Sequence, residues 1–556
     1  MKKFILFVFF VFLIFLPFSK GNFCQIPLKI EKTFKLDFKT PNGLCFDGNY
    51  LWVGDLKTSK IGKINPQNGE ILKIFDSPCF NLTSLAFDGK YLWVLDSKEK
   101  SIYAYDPENN LTTKTLQLDL ETPQGIGFDG KDIWISDGSM GVLVKIDIED
   151  GTTFKTLTAP TANKGGRSQL IGMTFNDGYL WVADRLTDEI YQVDTENDFT
   201  INILKTPGPY TSGLTFYKDF LLCLDYENRS IDFVKLPKYG EAIRFNPRKE
   251  TLTFGESYRN FGPGEIDELK IMLSLPQNLV FQDLNSKVAF DFKNFIIEKD
   301  EWGQEVAIFT FKNIKPLETV SARYKVDCTL YEVSFFLDPK KAGNVSDIPS
   351  NLSSYLKDDT KLDIKNEVIL KAVKEAIKEE KNVYYIARKI YRYIQEKMHY
   401  EMVGGWNTAP VVISRGSGSC SEYSFVMISM LRAAGIPARY AGSVVIRGDN
   451  ASRDDVFHRW VEVFIPPYGW IPVDPSGGDS QVPTEQAKNF GFLTNRFLIT
   501  TIGGGGSKYL KWNYNSDSYF AAKGAVKVEV LKSGDWAPFT NQKNEVYLKE
   551  DKKICM

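Results

Sequence analysis

Apolar and polar residues alternate in a pattern that returns five times between residues 40 and 230. In each unit a phenylalanine near a tight turn leads into an apolar strand that ends in aspartate, as in Phe87-Asp88-Gly89 followed by Leu92-Trp93-Val94-Leu95-Asp96. Successive phenylalanines are 41, 41, 47 and 41 residues apart, at Phe46, Phe87, Phe128, Phe175 and Phe216. Each unit has room for four strands, and four strands in about 40 residues are typical of a β-propeller blade.

The ends of this repeat indicate how the propeller closes. The fifth unit lacks a last strand, whereas residues 30–38 form an extra strand ahead of the first unit. We expect that strand to complete the last blade, giving about five blades over residues 30–237, with six blades as the alternative. The recurring tryptophans and aspartates are interpreted as packing and turn-capping residues. The longer spacing before Phe175, which includes Lys164 and Arg167, is a candidate binding loop. The units resemble propellers of the NHL and YVTN types.

Two other regions follow the repeat. Residues 245–340 contain alternating strands of a different kind, and a compact β-sandwich is the simplest fit. Residues 346–515 begin with apolar residues at helical spacing, such as Ile369 and Val373, and then return to strands. Residues 516–556 are predicted to form a C-terminal strand and tail.

A change from glycine and serine to helical periodicity occurs at Cys420. Residues 415–419 read RGSGS and cannot continue a helix, whereas the apolar residues after Cys420 repeat at helical spacing as far as Gly435 and Pro437. Cys420 is therefore predicted in the first turn of a helix, where free N–H groups and the helix dipole favour a negative charge. The thiolate is the nucleophilic form of cysteine, so this position suits catalysis. A buried structural cysteine is the alternative.

A histidine and an aspartate follow on predicted strands. His458 begins an alternating strand, and Asp474 comes directly after a second short strand. A carboxylate on a neighbouring strand can hold an imidazole in one tautomer. The chain has two histidines, and the other one, His399, is interpreted as structural. The alternative interpretation of Asp474 is a turn residue that precedes Pro475.

Four motifs carry a resemblance to a known family: Gly418-Ser419-Cys420, LRAAGIPARY at 431–440, HRWVEV at 458–463 and YGWIPVDP at 468–475. Together they resemble the transglutaminase-like superfamily, a papain-like α+β thiol fold, over residues 346–515. The resemblance implies a catalytic triad of Cys420, His458 and Asp474. It also implies a second oxyanion donor upstream, for which Trp406 and Asn407 are candidates. Arg459 departs from the family, which more usually has a small residue there, and its side chain is expected to face away from the sulfur.

Length, charge and the N-terminal segment limit which classes of protein and which cellular locations fit this sequence. The 556 residues imply several domains, and a net charge of −2 without a basic cluster argues against nucleic-acid binding. Lys2-Lys3, the apolar run at 4–18 and Ser19-Lys20-Gly21 predict a signal peptide over residues 1–21 and therefore export. An uncleaved membrane anchor is the alternative. The seven cysteines show no metal-like spacing and leave disulfide pairing open. No metal or organic cofactor is predicted.

These features lead to two hypotheses about function. The first is an exported thiol enzyme that acts on peptide or amide bonds through a thioester, with hydrolysis slightly favoured over transfer to an amine. Its substrate would be a protein or peptide, and the propeller would recruit a protein or surface polymer. The alternative is a non-catalytic binding or scaffold protein in which the propeller binds a partner and the thiol domain is inactive.

Overall fold

The structure is a computed structural model that describes residues 26–162, 168–402, 406–448 and 452–537. The predicted signal peptide, Cys24, Cys555 and the candidate binding loop at Lys164 and Arg167 lie outside the described residues. Within these ranges, no helix is long and apolar enough to cross a membrane.

Five antiparallel sheets of four strands occupy the first part of the chain. Their strands are β1 (Ile30–Lys35), β2 (Pro41–Phe46), β3 (Leu51–Asp55), β4 (Lys60–Ile64), β5 (Ile71–Asp76), β6 (Leu82–Phe87), β7 (Leu92–Asp96), β8 (Ser101–Asp106), β9 (Leu111–Gln117), β10 (Pro123–Phe128), β11 (Ile133–Asp137), β12 (Val142–Ile146), β13 (Thr153–Thr158), β14 (Leu170–Asn176), β15 (Tyr179–Asp184), β16 (Glu189–Asp194), β17 (Phe199–Lys205), β18 (Thr211–Tyr217), β19 (Phe220–Asp225) and β20 (Ser230–Lys235). The first strand of each repeat unit contacts its counterparts in a closed order, β2, β6, β10, β14, β18 and back to β2. β1 pairs with β20 and completes the fifth sheet. The predicted five-bladed propeller, closed by its N-terminal strand, is confirmed.

Small residues line the propeller axis because the innermost backbones touch there. Gly43, Ser84, Gly125, Gly172 and Gly213 occupy equivalent positions on the five inner strands. A Cβ atom on Gly125 would lie 2.7 Å from two carbonyl oxygens of β14, and one on Gly213 would lie 2.7 Å from the Leu44 side chain. The repeat therefore includes one small residue per blade at the point of closest approach.

The recurring aspartates and tryptophans hold turns together. Asp55 accepts backbone N–H groups from Lys39 at 2.7 Å and Lys57 at 3.1 Å, so it ties the turn after its own strand to the segment entering the blade. Asp96 and Asp137 make the same kind of contacts. The indole N–H groups donate to the turn aspartates in three pairs: Trp52 to Asp47, Trp93 to Asp88 and Trp134 to Asp129, at 2.7, 2.8 and 3.0 Å. These contacts confirm the structural interpretation of the repeat residues.

The remaining elements build the C-terminal part of the molecule. The strands are β21 (Ala242–Ser274), β22 (Gln282–Leu284), β23 (Ala289–Phe290), β24 (Phe295–Lys299), β25 (Glu305–Ile314), β26 (Thr319–Phe335), β27 (His399–Tyr400), β28 (Ser417–Gly418), β29 (Ala438–Val445), β30 (Ser452–Asp454), β31 (His458–Ile465), β32 (Gly469–Val473), β33 (Phe492–Leu493), β34 (Phe497–Gly503) and β35 (Ser516–Trp536). The α-helices are α1 (Glu367–Ile377), α2 (Val383–Lys397), α3 (Ala409–Arg415), α4 (Cys420–Ala433) and α5 (Pro483–Lys488), and short 3-10 helices cover Pro339–Lys341, Val345–Asp347 and Ser350–Leu356.

The β-sandwich predicted after the propeller takes strands from distant parts of the chain. β21 pairs with β26 along its first half and with β25 along its second half, while β35 pairs with β21 throughout 252–273. Phe290, which pairs with β26, contacts Phe309 of β25 at 5.8 Å between ring centroids, so the two halves of the sheet face each other. β30 and β33 also join this sheet. The sheet therefore includes strands from outside residues 245–340, where the sandwich was predicted. The limits predicted for the separate domains stay predictions.

The thiol-containing region packs a central helix against a separate four-stranded sheet of order β32-β31-β29-β34. Every residue of α4 except Ala433 is buried, between β31 on one side and α1, α2 and α3 on others. A helix that is buried all round is held in position by its neighbours rather than by one apolar face.

The propeller docks on this region through its fourth blade. The outer strand β17 is buried from Phe199 to Leu204, whereas the outer strands β5, β9 and β13 are mainly exposed. Tyr385 of α2 donates to Asp194 at 2.7 Å, and the backbone N–H of Thr484 in α5 donates to the Pro160 carbonyl at 3.1 Å. One apolar core runs from the fourth blade through the thiol-containing region to the sandwich.

Gly125→Ala tests the contact between blades at the axis. We expect the added methyl group to lower the free energy of unfolding by about 1–3 kcal/mol, because it overlaps the carbonyl oxygens of Leu170 and Ile171. Gly127→Ala on the same strand is the matched control, since its Cβ atom would meet neighbours at 3.6 Å or more and should change the free energy by no more than about 0.5 kcal/mol. Denaturant unfolding followed by tryptophan fluorescence measures both. Equal stability of the two variants would contradict the proposed close approach.

Candidate active site

Cys420 is the first residue of α4, as the sequence predicts. Gly416 ends α3 in the left-handed conformation at φ 78°, and the short stretch to Ser419 is extended. The Ser419 carbonyl accepts the first hydrogen bond of the new helix from Tyr423 at 2.9 Å. The N–H groups of residues 420–422 therefore precede the intrahelical hydrogen bonds, and the partial positive charge of the helix start surrounds the sulfur.

His458 lies beside this sulfur because α4 packs on β31. Its Nε2 atom is 2.6 Å from Oδ2 of Asp474, the residue that follows β32. The imidazole and the Cys420 thiol lie close enough for each to shift the pKa of the other. The backbone N–H of Arg459 also helps to lower the pKa of Cys420. The structure thus brings together Cys420, His458 and Asp474, the three residues singled out from the sequence.

The second carboxylate oxygen of Asp474 is held by the turn that follows it. Oδ1 accepts the backbone N–H of Ser476 at 3.0 Å, its hydroxyl at 2.8 Å and the N–H of Gly477 at 2.8 Å. Gln395 of α2 donates to the Pro475 carbonyl at 2.7 Å. A Cβ atom on Gly478 would lie 1.6 Å from the Tyr391 hydroxyl, so only glycine lets the turn pack on α2. The carboxylate is thereby oriented towards His458.

The charges of these three groups stabilise one another. Burial by itself would raise the pKa of Cys420, but the hydrogen bond and charge of His458 hold it below its ordinary value. Burial would lower the pKa of His458, yet Asp474 first and Cys420 second raise it to about 10. The pKa of Asp474 is lowered despite its burial, by the charge and hydrogen bond of His458. The three shifts therefore favour the charged form of each group: a thiolate, an imidazolium and a carboxylate.

The pKa values of the other described cysteine thiols are raised, not lowered. Five cysteines lie in the described ranges, and all five are buried and free. Burial raises the pKa of Cys79 and Cys328 to about 12, and it also raises the pKa of Cys45 and Cys223. Among these five, Cys420 alone has a lowered pKa.

Glu422 holds the residues that precede α4 in position. It was not singled out from the sequence. This fully buried carboxylate accepts the Ser419 N–H at 3.2 Å and forms an ion pair with Arg415 at 2.8 Å. It also accepts the backbone and side-chain amides of Asn407 at 3.0 and 3.3 Å, so the Asn407 side chain is engaged with Glu422. The indole of Trp406, the other upstream candidate, packs against Tyr514. A glutamate three residues after a serine N-cap is a capping-box spacing, and it was the available signal.

Phe497 is a second residue that the sequence did not indicate. It stacks on the His458 ring with 5.4 Å between centroids and 23° between planes. Phe497 begins β34, which reaches the site only because β34 pairs with β29. His399, interpreted as structural, is exposed on β27 next to β28.

Comparison with known proteins identifies a transglutaminase-like domain. Residues 371–475 match the family model of the transglutaminase-like superfamily. A protein-glutamine gamma-glutamyltransferase of Pseudomonas aeruginosa is 42% identical over 66 residues, and the uncharacterised protein YebA of Bacillus subtilis is 38% identical over 71 residues. Each alignment covers 11% of this chain and 10% of the relative, so the chain spans about a tenth of the length of the curated relatives it matches. The domain supports a thiol acyl-transfer enzyme.

Two solved structures are similar at low identity. A candidate cysteine protease from Cytophaga hutchinsonii is 15% identical with a TM-score of 0.38, over 55% of this chain and 97% of that chain. A β-propeller domain from Myceliophteria thermophila is 11% identical with a TM-score of 0.28, over 38% of this chain and 100% of that chain.

The pH dependence of Cys420 alkylation tests the ion pair. Because the pKa of Cys420 is lowered, its thiolate is present above that pKa and is lost as the pH falls through it, while His458 keeps its proton until the pH approaches about 10. We expect iodoacetamide to label Cys420 rapidly at pH 6, where an ordinary cysteine with a pKa of about 8.5 is almost all thiol. His458→Ala should slow labelling at pH 6 by at least about tenfold. His399→Ala, the matched control, should leave it unchanged, and slow labelling of the native protein would contradict the ion pair.

Proposed function

We propose that this protein is an exported thiol enzyme that cleaves peptide or amide bonds through a thioester on Cys420, with His458 and Asp474 completing a catalytic triad. The observation that carries the proposal is the placement of His458 between Cys420 and Asp474, with 2.6 Å between Nε2 and Oδ2 and with a Cys420 pKa that His458 lowers. Nucleophile, base and orienting carboxylate in this order are the arrangement that acyl transfer requires. The transglutaminase-like domain over 371–475 supports the same chemistry.

Acylation begins with attack by the Cys420 thiolate on the substrate carbonyl carbon. The carbon–sulfur bond forms as the carbonyl electrons move to oxygen, and the free N–H of Cys420 at the helix start is the first donor to that oxyanion. The His458 imidazolium then gives its proton to the amide nitrogen. The carbon–nitrogen bond breaks, the amine leaves, the carbonyl reforms, and an acyl-thioester remains on Cys420 beside a neutral His458.

Deacylation reverses the role of His458. Its imidazole takes a proton from water as the water oxygen attacks the thioester carbon, and the sulfur leaves as a thiolate. The products are a carboxylic acid and the original thiolate–imidazolium pair. A primary amine in place of water would give a new amide by the same route.

Solvent access supports hydrolysis over transfer to an amine. Cys420 retains 8% of its surface, and the side chains of His458 and Asp474 retain 19% and 15%. The site is therefore recessed but open, and water is present at every turnover. An amine acceptor would need a binding surface of its own.

The other parts of the proposal concern location and recruitment. The charged and apolar N-terminal segment supports export, with an uncleaved anchor as the alternative. The propeller is proposed to recruit a protein or surface polymer, since the outer strands β5, β9 and β13 are mainly exposed, unlike β17. Its fixed attachment to α2 would hold such a partner in a constant relation to Cys420.

Cys420→Ala tests the proposed activity on unfolded protein substrates, with Cys79→Ala as the matched control. We expect the first variant to lose at least about a thousandfold in the release of new amino termini, because no other described thiol is activated. The control should retain native activity. Acid quenching and mass spectrometry should find an acyl group on Cys420 of the native enzyme.

Three outcomes would change the proposal. Turnover that survives in Cys420→Ala would indicate another nucleophile. Product that forms mainly as a new amide, when glycine ethyl ester is added, would favour transfer over hydrolysis. Complete absence of turnover and of acyl-enzyme, in a protein that still binds surface polymers or proteins, would favour the non-catalytic scaffold.

A further inference from the structure

Helix α5 connects the propeller to the carboxylate of the candidate triad. Its first turn is bound to the propeller, because the backbone N–H of Thr484 donates to the Pro160 carbonyl at 3.1 Å. One turn further along, Ala487 is 4% exposed and belongs to an apolar cluster of the third and fourth blades, which includes Leu157 and Ile203. Every other buried member of that cluster is a propeller residue. The buried side of α5 therefore packs into the propeller.

The other end of α5 is bound to the backbone of Asp474. Asn489 is the C-cap of the helix, and its carbonyl accepts the Asp474 N–H at 2.9 Å. The contact continues one residue further, where Phe490 pairs with Val473 at the end of β32. The backbone that carries the triad carboxylate is therefore held in register with the end of a helix that the propeller holds.

The turn between Asp474 and α5 is packed so closely that it has no room to adjust. A Cβ atom on Gly477 would lie 2.6 Å from Oδ1 of Asn489 and 2.7 Å from Oδ2 of Asp474. The second of these is the oxygen that lies 2.6 Å from Nε2 of His458. Because the helix cap and the carboxylate approach the same glycine, a shift of α5 has to move the turn with it.

The remaining contacts of this turn come from α4 and α2. Tyr423 of α4 donates to the Asp479 carboxylate at 3.1 Å, and Gln395 of α2 donates to the Pro475 carbonyl at 2.7 Å. These bonds fix the first part of the segment, whereas α5 fixes its last part. The position of Asp474 depends on both, since its own N–H is bonded to the part that the propeller holds.

We propose that the propeller positions Asp474 through α5, with Ala487 as the positioning residue at the contact. The inference rests on the proposed role of Asp474 in the triad. Its consequence is that the propeller is a structural part of the active site and not only a platform for a partner. Displacement of α5 from the blades turns the carboxylate away from His458. The chemical steps stay the same, because Ala487 does not touch the reacting atoms.

The test is the pKa of His458 in Ala487→Leu, followed by NMR of protein that carries carbon-13 in its imidazoles. A larger side chain in a packed contact forces its neighbours apart, so the replacement should move α5 away from the blades. Asp474 is first among the groups that raise the pKa of His458, ahead of Cys420. Loss of its alignment should therefore lower that pKa by about one unit or more, and Ala487→Phe should lower it further.

Two controls separate this effect from a general loss of stability. His399 is exposed and is the other histidine of the chain, so its titration in the same spectra should not differ between native and variant proteins. Ala86→Leu is the matched variant, because Ala86 of β6 is 5% exposed in a cluster of the propeller that contains no residue of α5. It should lower the thermal stability to a similar extent and leave the titration of His458 unchanged.

In an active enzyme the same variant should separate kcat from KM. Ala487→Leu should lower kcat by about tenfold and keep KM within about twofold of the native value, because the carboxylate acts on the imidazole and not on the bound substrate. Ala86→Leu should leave both constants unchanged.

Two results would overturn the inference. One is an unchanged His458 pKa in folded Ala487→Leu. The other is an equal decrease in Ala86→Leu, which would indicate a general response to a disturbed propeller. If the Leu variant does not fold, Ala487→Val makes the same test with a smaller added volume.

The NMR titration separates this inference from the proposed function, since it requires no turnover. A protein without amide-cleaving activity whose His458 pKa still falls in Ala487→Leu would refute the proposed function and retain the inference. An active enzyme whose His458 pKa does not change in that variant would do the reverse.

Discussion

The packing of a fully buried helix against one strand is the contact on which the site depends. α4 has a buried side chain at every position from Cys420 to Arg432, and β31 runs beside it with His458 at its start. A displacement of either element would have to move a close-packed core on several sides, which is why the sulfur and the imidazole stay in contact. The apolar core around α4 continues into the sandwich and the fourth blade, so the geometry of the site is supported by much of the molecule.

Burial also determines the chemistry of the charged groups near Cys420. Glu422 and Asp454 are both fully buried carboxylates, and each is held by an arginine and by backbone N–H groups: Arg415 for the first and Arg447 for the second, at 2.8 and 2.9 Å. Asp474 is satisfied by His458 and the turn that follows. Away from water, such contacts are strong and their absence is costly, so the position of each charge constrains the next. Arg459 differs because its surroundings are aromatic.

The attachment of the propeller illustrates how an ordinary strand becomes an interface. β17 occupies the same place in its blade as β5, β9 and β13, yet it is buried from Phe199 to Leu204, because α5 packs on it and Arg388 of α2 contacts Phe199 and the Thr200 carbonyl. The polar contacts at this interface, such as Asn202 with the Leu337 carbonyl at 2.7 Å, satisfy buried groups and fix the orientation. The candidate active site and the propeller therefore share structural elements, since α2 contacts the fourth blade and also holds the turn after Asp474.

The sequence by itself determined the features that arise from neighbouring residues. The 41-residue spacing established the five blades, the change from glycine to helical periodicity placed Cys420 at a helix start, and the motif order identified His458 and Asp474 as its partners. Only the tertiary structure decided the pairing of β35 with β21, the stacking of Phe497 on His458 and the aromatic cage around Arg459. The physical reason is the range of the interactions. Periodicity and turn chemistry act over a few residues and leave a pattern in the chain, whereas packing joins residues hundreds of positions apart whose types are individually unremarkable.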